Sequence, residues 1–434
     1  MEQKVYDTYV AILKNELKVA LGCTEPIAIA YVGAKVREVL GKMPEHIDVY
    51  CSGNIVKNVK AVVVPNSDGQ RGIDVAAALG VIGGDASLEL AVLESVKPED
   101  IQLCKKLLQE KFVDTHLVED VANLYVSIKA TAGDESAEVE VKEYHSNITK
   151  IVKNGEVIFT KEEEHQQTDS SEPDKTLLKV KDILEFADTV KIDDVKELLD
   201  RQIQYNTAIA QEGLEHPYGA EIGRTLMEDF DHSNVKLQAK AFAAAGSDAR
   251  MSGCPLPVVI NSGSGNQGIT ASLPVIVYGR YYHLPQEKIY RALCVSNLIS
   301  IHQKRFIGSL SAYCGATSAG CGSGAGIAYM MGMSYEEICD VITNSIATIG
   351  GMVCDGAKSS CAAKIAASVE AALVAVHMAK KHRAFKNGEG LVKGDIEETI
   401  AAIGDMGRHE IHRCRNPELD AGQKESAAAV KKGE

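Results

Sequence analysis

Residues 354–361 read Cys354-Asp355-Gly356-Ala357-Lys358-Ser359-Ser360-Cys361, and apolar residues at helical spacing follow as far as residue 380. A second stretch places Cys314 in a similar run of small residues, Tyr313-Cys314-Gly315-Ala316-Thr317. Small residues let backbone approach a bulky inorganic group, and three thiolates in such a cradle suit a [4Fe–4S] cluster with one iron lacking a protein ligand. An open iron is a Lewis acid, so the pattern favours an enzyme over an electron carrier.

The chain is predicted to have an α+β N-terminal region followed by a larger, mainly α-helical iron–sulfur domain. Residues 1–160 form the predicted α+β domain, which contributes Cys23 to the active site, and residues 176–415 form the helical catalytic domain. Between them, residues 161–175 are charged and nearly free of apolar side chains, which is typical of a polar loop or linker. Residues 416–434 are rich in Ala, Lys and Glu and are predicted to be a flexible tail.

Local periodicity predicts the individual elements. Alternation or apolar runs predict six strands, the last two joined by a hairpin at Asn154-Gly155: residues 46–51, 60–64, 124–130, 137–143, 148–153 and 156–159. Helical spacing predicts the clearest helices: residues 5–21, 26–40, 180–190, 195–210, 219–231, 235–245, 286–300, 334–349 and 361–380. Thr24 is expected to cap the second helix with its hydroxyl.

Composition limits what the chain can bind. With 434 residues, 45% hydrophobic and 24% charged, it has the composition of a soluble globular protein. The net charge of −14 argues against nucleic acid and an anionic membrane as partners, because both require a basic face. Since the N-terminal stretch has no secretory pattern, a cytoplasmic location is expected. Eleven cysteines in a reducing compartment favour metal or catalytic use over disulfides.

Two segments have similar sequences: residues 63–73 (VVPNSDGQRGI) and residues 258–269 (VVINSGSGNQGI). One inserted residue in the second segment aligns them. Each pattern predicts a strand, an Asn-Ser turn, a glycine-rich loop and a helix. The similarity indicates either an ancient duplication with two loops facing one site or a chance likeness between two strand–loop–helix turns.

Spacing alone leaves the set of metal ligands open. Cys314 and Cys354 lie far apart in sequence, unlike the compact cysteine runs of ferredoxins. Cys321 follows Cys314 at the same interval as Cys361 follows Cys354, so Cys321 is an alternative third ligand. A zinc site is another alternative, although zinc normally takes four ligands with closely spaced pairs, and no Cys-x₂-Cys occurs. The remaining alternative is that all four cysteines are buried small residues.

Three motifs point together to a known family: residues 21–26 (LGCTEP), 262–268 (SGSGNQG) and 354–361 (CDGAKSSC). From about residue 15 to about residue 415, the chain resembles the L-cysteine desulfidase family, which is related to the α part of iron–sulfur L-serine dehydratases. The resemblance implies an oxygen-sensitive [4Fe–4S] lyase that does not use pyridoxal phosphate. It also implies that Cys314, Cys354 and Cys361 hold the cluster and that Cys23 is an additional active-site cysteine.

Further side chains are predicted to bind the substrate. Ser262, Ser264, Asn266 and Gln267 offer hydroxyls, amides and backbone N–H groups before a helix, which suits a carboxylate. Lys358 lies between two predicted ligands. It is expected either to pair with the substrate carboxylate, to tune the cluster or to be a plain exposed lysine.

Proton transfer is assigned to Cys23. This residue precedes a predicted helix N-terminus, where the helix dipole lowers the pKa of a thiol, so a Cys23 thiolate is the candidate base for the α-proton. Glu25 is expected to serve only the helix. His302 and Lys304 shortly precede Cys314 and are candidates for a supporting role, with a solvated basic turn expected for Lys304.

The resemblance, which these residues support, implies β-elimination from L-cysteine to hydrogen sulfide, ammonia and pyruvate. L-serine dehydration by the same mechanism is the nearest alternative, because only the leaving group differs. A non-catalytic iron–sulfur sensor and a pyridoxal-phosphate lyase are the alternatives from other classes. The expected partner is a small amino-acid substrate, and a homo-oligomer is compatible with the sequence.

Overall fold

The computed structural model describes residues 1–161, 173–228, 233–308 and 311–413, with side chains as far as residue 407. Most of the predicted linker 161–175 and all of the predicted tail 416–434 lie outside the described residues. The described part is an α+β region built on a sheet, followed by a helical region. The α+β class and the order of the two regions are therefore confirmed.

The strands form two sheets. Their bounds are β1 Val19–Leu21, β2 His46–Ser52, β3 Val113–Val118, β4 Tyr125–Ala132, β5 Glu135–Lys142, β6 Ile148–Lys153, β7 Glu156–Thr160 and β8 Pro257–Val259. The larger sheet has the strand order β3-β2-β4-β5-β6-β7, in which β2 and β3 are parallel and all other neighbours are antiparallel. The smaller sheet pairs β1 with β8.

Fifteen α-helices are described, five before the end of the sheet region and ten after it. The first five are α1 Gln3–Glu16, α2 Thr24–Leu40, α3 Gly53–Val59, α4 Ile73–Gly83 and α5 Pro98–Gln109. The others are α6 Val180–Thr189, α7 Lys196–Glu215, α8 Ile222–Glu228, α9 Val235–Met251, α10 Gly265–Tyr281, α11 Gln286–Ile307, α12 Gly315–Met330, α13 Tyr335–Ile349, α14 Cys361–Ala379 and α15 Ile396–Arg413.

Three local predictions are wrong. The first helix ends at Glu16 rather than at residue 21, because residues 19–21 form β1. Residues 60–64 are not a strand, since only an isolated bridge joins Val63 to Arg71. Thr24 does not cap α2, because Cys23 occupies the position before the helix and Thr24 is its first residue. The hairpin at Asn154-Gly155 and the strands around it are confirmed.

The sheet buries one face against α2 and α4. Inward residues alternate with outward ones along β2, where Ile47, Val49 and Cys51 are fully buried and His46 and Asp48 are not. This period of two is the geometry of a strand with one face on the core. The outer face at the β2–β3 edge is therefore polar.

The helical region has its own core, and α12 lies at its centre between α10, α11, α13 and α14. Small residues allow this arrangement. A Cβ on Gly322 would lie 2.2 Å from Ser300 Oγ on α11, so only glycine permits such close packing of the two helices. Among the described residues, α14 is long and apolar enough to span a membrane by length and composition, and half of it is buried inside the protein.

The short β1–β8 pair joins the two regions. Val19 and Leu21 lie opposite Val259 and Pro257, and the Ile260 N–H donates to Lys18 O at 2.9 Å. The chain leaves β1 through Gly22, whose positive φ of 60° suits glycine, and enters α2 at once. As a result, Cys23 lies beside the glycine-rich loop that follows β8.

Candidate active site

Cys314 and Cys354 lie on two extended segments that pair with each other. Tyr313 and Val353 form an antiparallel bridge, the Cys314 N–H donates to Met352 O at 2.8 Å, and the Cys354 N–H donates to Ala312 O at 2.6 Å. The Cys314 thiol also donates a hydrogen bond to the Cys354 sulfur. Two cysteines distant in sequence are thus adjacent in space.

Cys361 completes a group of three sulfurs. It begins α14, and its thiol donates to Gly356 O at 3.7 Å within the turn that leads back from Cys354. Its charge interacts with those of both Cys314 and Cys354. All three are half-buried, so the sulfurs lie near the surface without being freely exposed. The structure therefore brings the three predicted ligands together.

The three thiols titrate differently. The hydrogen bond from Cys314 lowers the pKa of Cys354, helped by the positive charges of Lys57 and Lys304. The same hydrogen bond and burial raise the pKa of Cys314, and burial raises the pKa of Cys361. Of the three cysteines, Cys354 therefore forms a thiolate most readily, and the thiolate is the form that binds metals.

Cys321, the alternative ligand, lies elsewhere. It is buried in α12, and its thiol approaches Ile342 O of α13 at 3.8 Å. Burial raises the pKa of Cys321 to about 12, as expected for a core thiol. Cys361, not Cys321, joins Cys314 and Cys354.

Cys23 reaches the same place from the N-terminal region. It is 2% exposed and packs in a small cluster with Cys361, Ala357, Val62 and Met251. Its thiol donates to Glu25 Oε2 at 3.1 Å. The structure thus places the predicted active-site cysteine against one of the predicted ligands.

The expected lowering of the Cys23 pKa is wrong. Burial raises it well above its usual value, and the neighbouring Glu25 carboxylate raises it further. Both effects oppose the helix dipole, whose contribution is modest. Glu25 in turn accepts from Asn58 Nδ2 of α3 at 2.9 Å as well as from Cys23, so it links the Cys23 turn to α3 rather than serving only its own helix.

Thr24 ties the Cys23 turn to the glycine-rich loop, because its hydroxyl donates to Gly263 O at 3.1 Å. In that loop the backbones of Asn261 and Ser264 pair with each other, and α10 begins at the next residue, Gly265. The Ser262 hydroxyl donates to Asn261 Oδ1 at 2.9 Å, and Ser264 is half-buried. The loop therefore holds a fixed shape beside Cys23.

Two amides of this loop are left unsatisfied. Asn266 Oδ1 and Gln267 Oε1 are buried and have no hydrogen-bond partner among the described residues. The Gln267 amide packs on Gly315, where a Cβ would lie 2.4 Å from its Cδ, so it lies next to Cys314. Buried polar groups are nearly always hydrogen-bonded, and those that are not require an explanation such as a ligand. Both residues were predicted to bind substrate.

Arg250, at the C-terminal end of α9, was missed by the sequence analysis. It is 2% exposed, and its Nε has no partner within the described ranges. Its charge opposes the rise in the pKa of Cys23, and it adds to the lowering of the Glu25 pKa, in which His145 has the larger part. A Cβ on Gly265 would lie 2.2 Å from Arg250 Nε, so the guanidinium lies directly beneath the start of α10. An arginine in the alanine-rich sequence of α9 was the available signal.

Lys304 and Lys57 supply two more cations beside the sulfurs. Lys304 is 5% exposed, so the expected solvated turn is wrong, and its Nζ donates to Ser311 Oγ at 3.4 Å. Burial lowers the pKa of Lys304 to about 8, against the opposing charges of Cys354 and Cys314. Lys57 Nζ donates to Cys354 O at 3.4 Å. The sequence analysis named Lys304 as a candidate for a supporting role but expected it to be solvated, and it did not single out Lys57.

His145, in the turn between β5 and β6, is the contribution of the larger sheet. Its Nε2 is buried without a hydrogen-bond partner in the described part of the chain. Burial lowers the pKa of His145, although Glu25 opposes the shift. The ring packs on the glycine-rich loop, since a Cβ on Gly263 would lie 3.5 Å from its Cε1.

Lys358 and His302 make other contacts. Lys358 Nζ lies 2.6 Å from Asp355 Oδ1 and donates to Asp355 O at 3.0 Å, and Lys364 pairs with the same carboxylate. Lys358 therefore braces the turn between the two cysteines, and a role in substrate binding stays a prediction. His302 Nε2 contacts Glu397 Oε2 at 2.6 Å on α15.

The site suits an anionic iron–sulfur cluster. Its donors are three cysteine sulfurs, the ligand type that such clusters take. Lys57, Lys304 and Arg250 place positive charge around the sulfurs and Cys23, in a chain whose net charge is −14. The unsatisfied amide of Gln267 points to a further polar group beside Cys314.

Comparison with known proteins gives a consistent match. A family model described as serine dehydratase alpha chain matches residues 87–416. The chain is 51% identical over 407 residues to the UPF0597 protein of Desulfitobacterium hafniense, with 94% of each chain covered. It is 51% identical over 399 residues to the UPF0597 protein of Lachnoclostridium phytofermentans, covering 92% of this chain and 95% of the relative. A Vibrio parahaemolyticus UPF0597 protein is 37% identical over 405 residues, covering 92% and 95%.

Proposed function

The chain belongs to the serine dehydratase alpha-chain family, and from this premise we propose that it is an iron–sulfur lyase that acts on L-cysteine. The proposed products are hydrogen sulfide, ammonia and pyruvate. One observation carries the proposal: Cys314, Cys354 and Cys361 converge beside Cys23, with the buried cations Arg250 and Lys304 next to them.

Cys314, Cys354 and Cys361 would hold a [4Fe–4S] cluster, which supplies a Lewis-acidic iron without a protein ligand. Lys57 and Lys304 offset negative charge at this position, because both raise the fraction of Cys354 that is thiolate. Glycine is required at two positions beside the sulfurs, because a Cβ on Gly315 would lie 2.4 Å from Gln267 Cδ and one on Gly356 would lie 2.3 Å from Lys57 O. Gly356 also has a φ of 98° that an L side chain rarely adopts.

We assign the substrate carboxylate to the buried polar groups of Arg250, Asn266 and Gln267. Arg250 is a buried cation whose Nε has no partner among the described residues. The side-chain oxygens of Asn266 and Gln267 also lack partners there, and the backbone N–H groups of both residues lie in the first turn of α10. A guanidinium and a helix N-terminus both favour a carboxylate. The unsatisfied amide oxygens suit the α-ammonium group, which is a donor.

The elimination breaks the Cα–H and Cβ–S bonds. A base takes the α-proton, the electron pair forms the Cα=Cβ bond, and hydrosulfide leaves. The released aminoacrylate tautomerises and takes up one water, which gives pyruvate and ammonia.

Two side chains of the site can move protons. Cys23 is a protonated thiol held by Glu25, so the pair can pass a proton between the substrate and the carboxylate. Lys304, with its pKa lowered to about 8, is in part a neutral amine near neutral pH and therefore can act as a base. Burial also excludes bulk water, which strengthens the electrostatic interactions between charged groups at the site.

L-serine is the second candidate substrate, because the matching family model is described by serine dehydration. Its hydroxyl is the leaving group in place of the thiol, and all other steps are the same. A thiophilic iron favours the sulfur substrate.

The test is anaerobic reconstitution with iron and sulfide, followed by assays of sulfide and pyruvate from L-cysteine and of pyruvate from L-serine. The wild type is compared with Cys354→Ser, and Cys321→Ala is the matched control because Cys321 lies away from the three sulfurs. We expect sulfide release that requires iron, is lost in Cys354→Ser and persists in Cys321→Ala.

Other outcomes would redirect the assignment. Faster turnover of L-serine would make dehydration the function. A stable cluster with neither product would favour a sensor or binding protein. Sulfide release that needs added pyridoxal phosphate rather than iron would overturn the iron–sulfur mechanism.

A further inference from the structure

A group of histidine and aspartate side chains lies on the outer face of the larger sheet, apart from the cysteine site. His46 and Asp48 are on β2, and Asp114 and His116 are on the neighbouring parallel strand β3. Asp48 is directly opposite Asp114 in the strand register. All four face outward because the residues between them on β2 turn into the core.

The donor atoms of these side chains are close together. His46 Nε2 lies 3.4 Å from Asp114 Oδ2 and 4.0 Å from Asp48 Oδ1. His116 Nε2 lies 2.9 Å from the same Asp48 Oδ1. Ligands of a tetrahedral ion with bonds of about 2.0–2.1 Å are separated by about 3.3 Å. The observed separations bracket that value before any metal draws the side chains together.

We propose that His46, Asp48, Asp114 and His116 form a second metal site, for a borderline divalent cation of the zinc type. Two imidazole nitrogens and two carboxylates make up a donor set that Zn²⁺ accepts, and two imidazoles disfavour Mg²⁺ and Ca²⁺. One ligand atom from each of His46, Asp48 and Asp114 lies within 4.8 Å of the others. His116 lies outside this group of three, but its Nε2 contacts Asp48 Oδ1 at 2.9 Å, so it becomes the fourth ligand once a bound ion draws its ring closer.

Neighbouring residues support the placement of the ligands. Tyr50 stacks on the His116 ring with centroids 4.8 Å apart, which holds the plane of the imidazole. The four side chains are between 28% and 64% exposed, so an ion can enter from solvent without a conformational change. Lys129 lies opposite Asp48 on β4 and is exposed. The negative charge of the two aspartates therefore exceeds the positive charge of this one lysine.

A cation bound at these four side chains would stabilise the sheet. Among the described strands, β3 is an edge strand that pairs with β2 alone. An ion bound by two residues from each strand therefore cross-links the edge strand to the rest of the sheet. Such a site stabilises the fold, and its loss leaves the chemistry at the cysteines intact.

The test measures zinc binding by the reconstituted protein, whose cysteine site is loaded, so that the thiols do not compete. Bound zinc is counted after desalting, affinity is measured by calorimetry, and the ligands are identified by zinc X-ray absorption. That spectrum separates nitrogen and oxygen at about 2.0–2.1 Å from sulfur at about 2.3 Å. Variants are His46→Ala and Asp48→Asn, and His382→Ala is the matched control because its side chain is 83% exposed outside the group.

We expect one zinc per chain with only nitrogen and oxygen ligands, at least about tenfold weaker binding in His46→Ala and Asp48→Asn, and no change in His382→Ala. Zinc should also raise the unfolding temperature of the wild type but not that of the two variants. Sulfur ligation, equal affinity in all variants or no binding would each overturn the proposal. If His46→Ala does not fold, Asp114→Asn on the exposed edge strand replaces it.

Discussion

Two loops of similar sequence, residues 63–73 and residues 258–269, flank the turn that carries Cys23, and they use their polar groups in opposite ways. The first loop satisfies its own groups. Gln70 O accepts from the Val64 N–H at 2.9 Å and the Ser67 hydroxyl at 3.0 Å, and Gln70 Nε2 donates to Ser67 O at 2.8 Å. Asn66 Nδ2 donates to Leu93 O at 2.9 Å. This loop is closed.

The second loop leaves polar groups open toward the sulfurs. Asn266 Oδ1 and Gln267 Oε1 lack partners among the described residues, and Arg250 lies beneath Gly265 with an unsatisfied Nε. The helix also begins earlier, at Gly265, whereas α4 begins only at Ile73 after the aligned glycine. In the second segment, residues of the first helical turn, with their free backbone N–H groups, therefore stand where the first segment still has loop residues.

The comparison teaches that similar loops differ in function through the hydrogen bonds that they leave unmade. The first loop packs as a wall, since Cβ atoms on Gly22 and Gly253 would lie 2.2 Å and 2.5 Å from Pro65 and Val63 side-chain carbons. The second loop presents donors and acceptors. Both loops contact the turn that carries Cys23, which is compatible with an ancient duplication. Duplication stays a hypothesis.

The largest expected difference concerns two arginines, Arg250 beneath the second loop and Arg71 in the first loop. Arg250→Met should lower kcat/KM for L-cysteine by at least about 100-fold, because it removes the buried cation assigned to the substrate carboxylate. Arg71→Met is the matched control, since Arg71 is exposed and donates to Ala61 O at 3.0 Å, and it should stay within about twofold. Steady-state kinetics on reconstituted protein checks both. An Arg250→Met enzyme with half of the normal kcat/KM would contradict the assignment.

The next comparison uses the glutamines. Gln267→Ala should lower kcat/KM about 10- to 100-fold with little change in the free energy of unfolding, because its Oε1 accepts no hydrogen bond from the part of the chain that the structure describes. Gln70→Ala should do the reverse and lower the free energy of unfolding by about 1 kcal/mol, because Gln70 Nε2 donates within its loop. Denaturant unfolding and kinetics per folded molecule separate the two effects. Loss of stability in Gln267→Ala with full activity would make the second loop structural as well.

The aligned glycines give a smaller effect. Gly265→Ala should reduce activity about tenfold, because its Cβ would lie 2.2 Å from Arg250 Nε and must displace the guanidinium. Gly69→Ala meets no atom within 4 Å, but its φ of 77° costs about 1 kcal/mol of stability. If the Arg250 side chain can move aside, Gly265→Ala should keep the unfolding temperature of the wild type, and only Gly69→Ala should lower it. Equal activity in both variants would mean that the position of Arg250 does not matter.

The smallest predicted effect is a pH dependence of stability at Asp248, on the same helix as Arg250. Burial raises the pKa of Asp248 on α9 to about 6, from an ordinary value near 4. Between these values the folded protein binds more protons than the unfolded chain, so the free energy of unfolding should fall as pH rises from about 4 to about 6.

Asp248→Asn removes this titration and keeps an oxygen that can accept from the Gly223 N–H, bonded at 3.0 Å in the wild type. The wild type should therefore lose on the order of 1 kcal/mol relative to Asp248→Asn across that window and remain parallel to it above. Unfolding in urea at several pH values measures the difference. Parallel curves throughout would show that Asp248 keeps an ordinary pKa.

Sequence patterns predicted the parts of the site that depend on residue type. Cys314, Cys354, Cys361 and Cys23 were singled out because thiols in small-residue runs have a specific chemistry, and the structure brings all four together. The hairpin at Asn154-Gly155 was predicted because it is a local turn signal.

Other features were missed for physical reasons. Arg250 and His145 are single polar residues whose burial depends on distant segments, and no local period marks them. Lys304 was named as a candidate, but its burial was missed for the same reason. The strand expected at residues 60–64 fails because its apolar residues are buried by packing rather than by pairing in a sheet. The raised pKa of Cys23 results from burial and from Glu25, which outweigh the helix dipole inferred from sequence.

The sequence by itself therefore determined the class of chemistry, since thiols, glycines and hairpin residues act through their own covalent structure and nearest neighbours. Only the tertiary structure decided which third cysteine joins the pair and which polar groups remain unsatisfied. It also decided the His–Asp group, because β2 and β3 meet only in the sheet. The physical reason is that burial and electrostatic environment are set by segments far apart in the chain, and these quantities control protonation, binding and the strength of each charge.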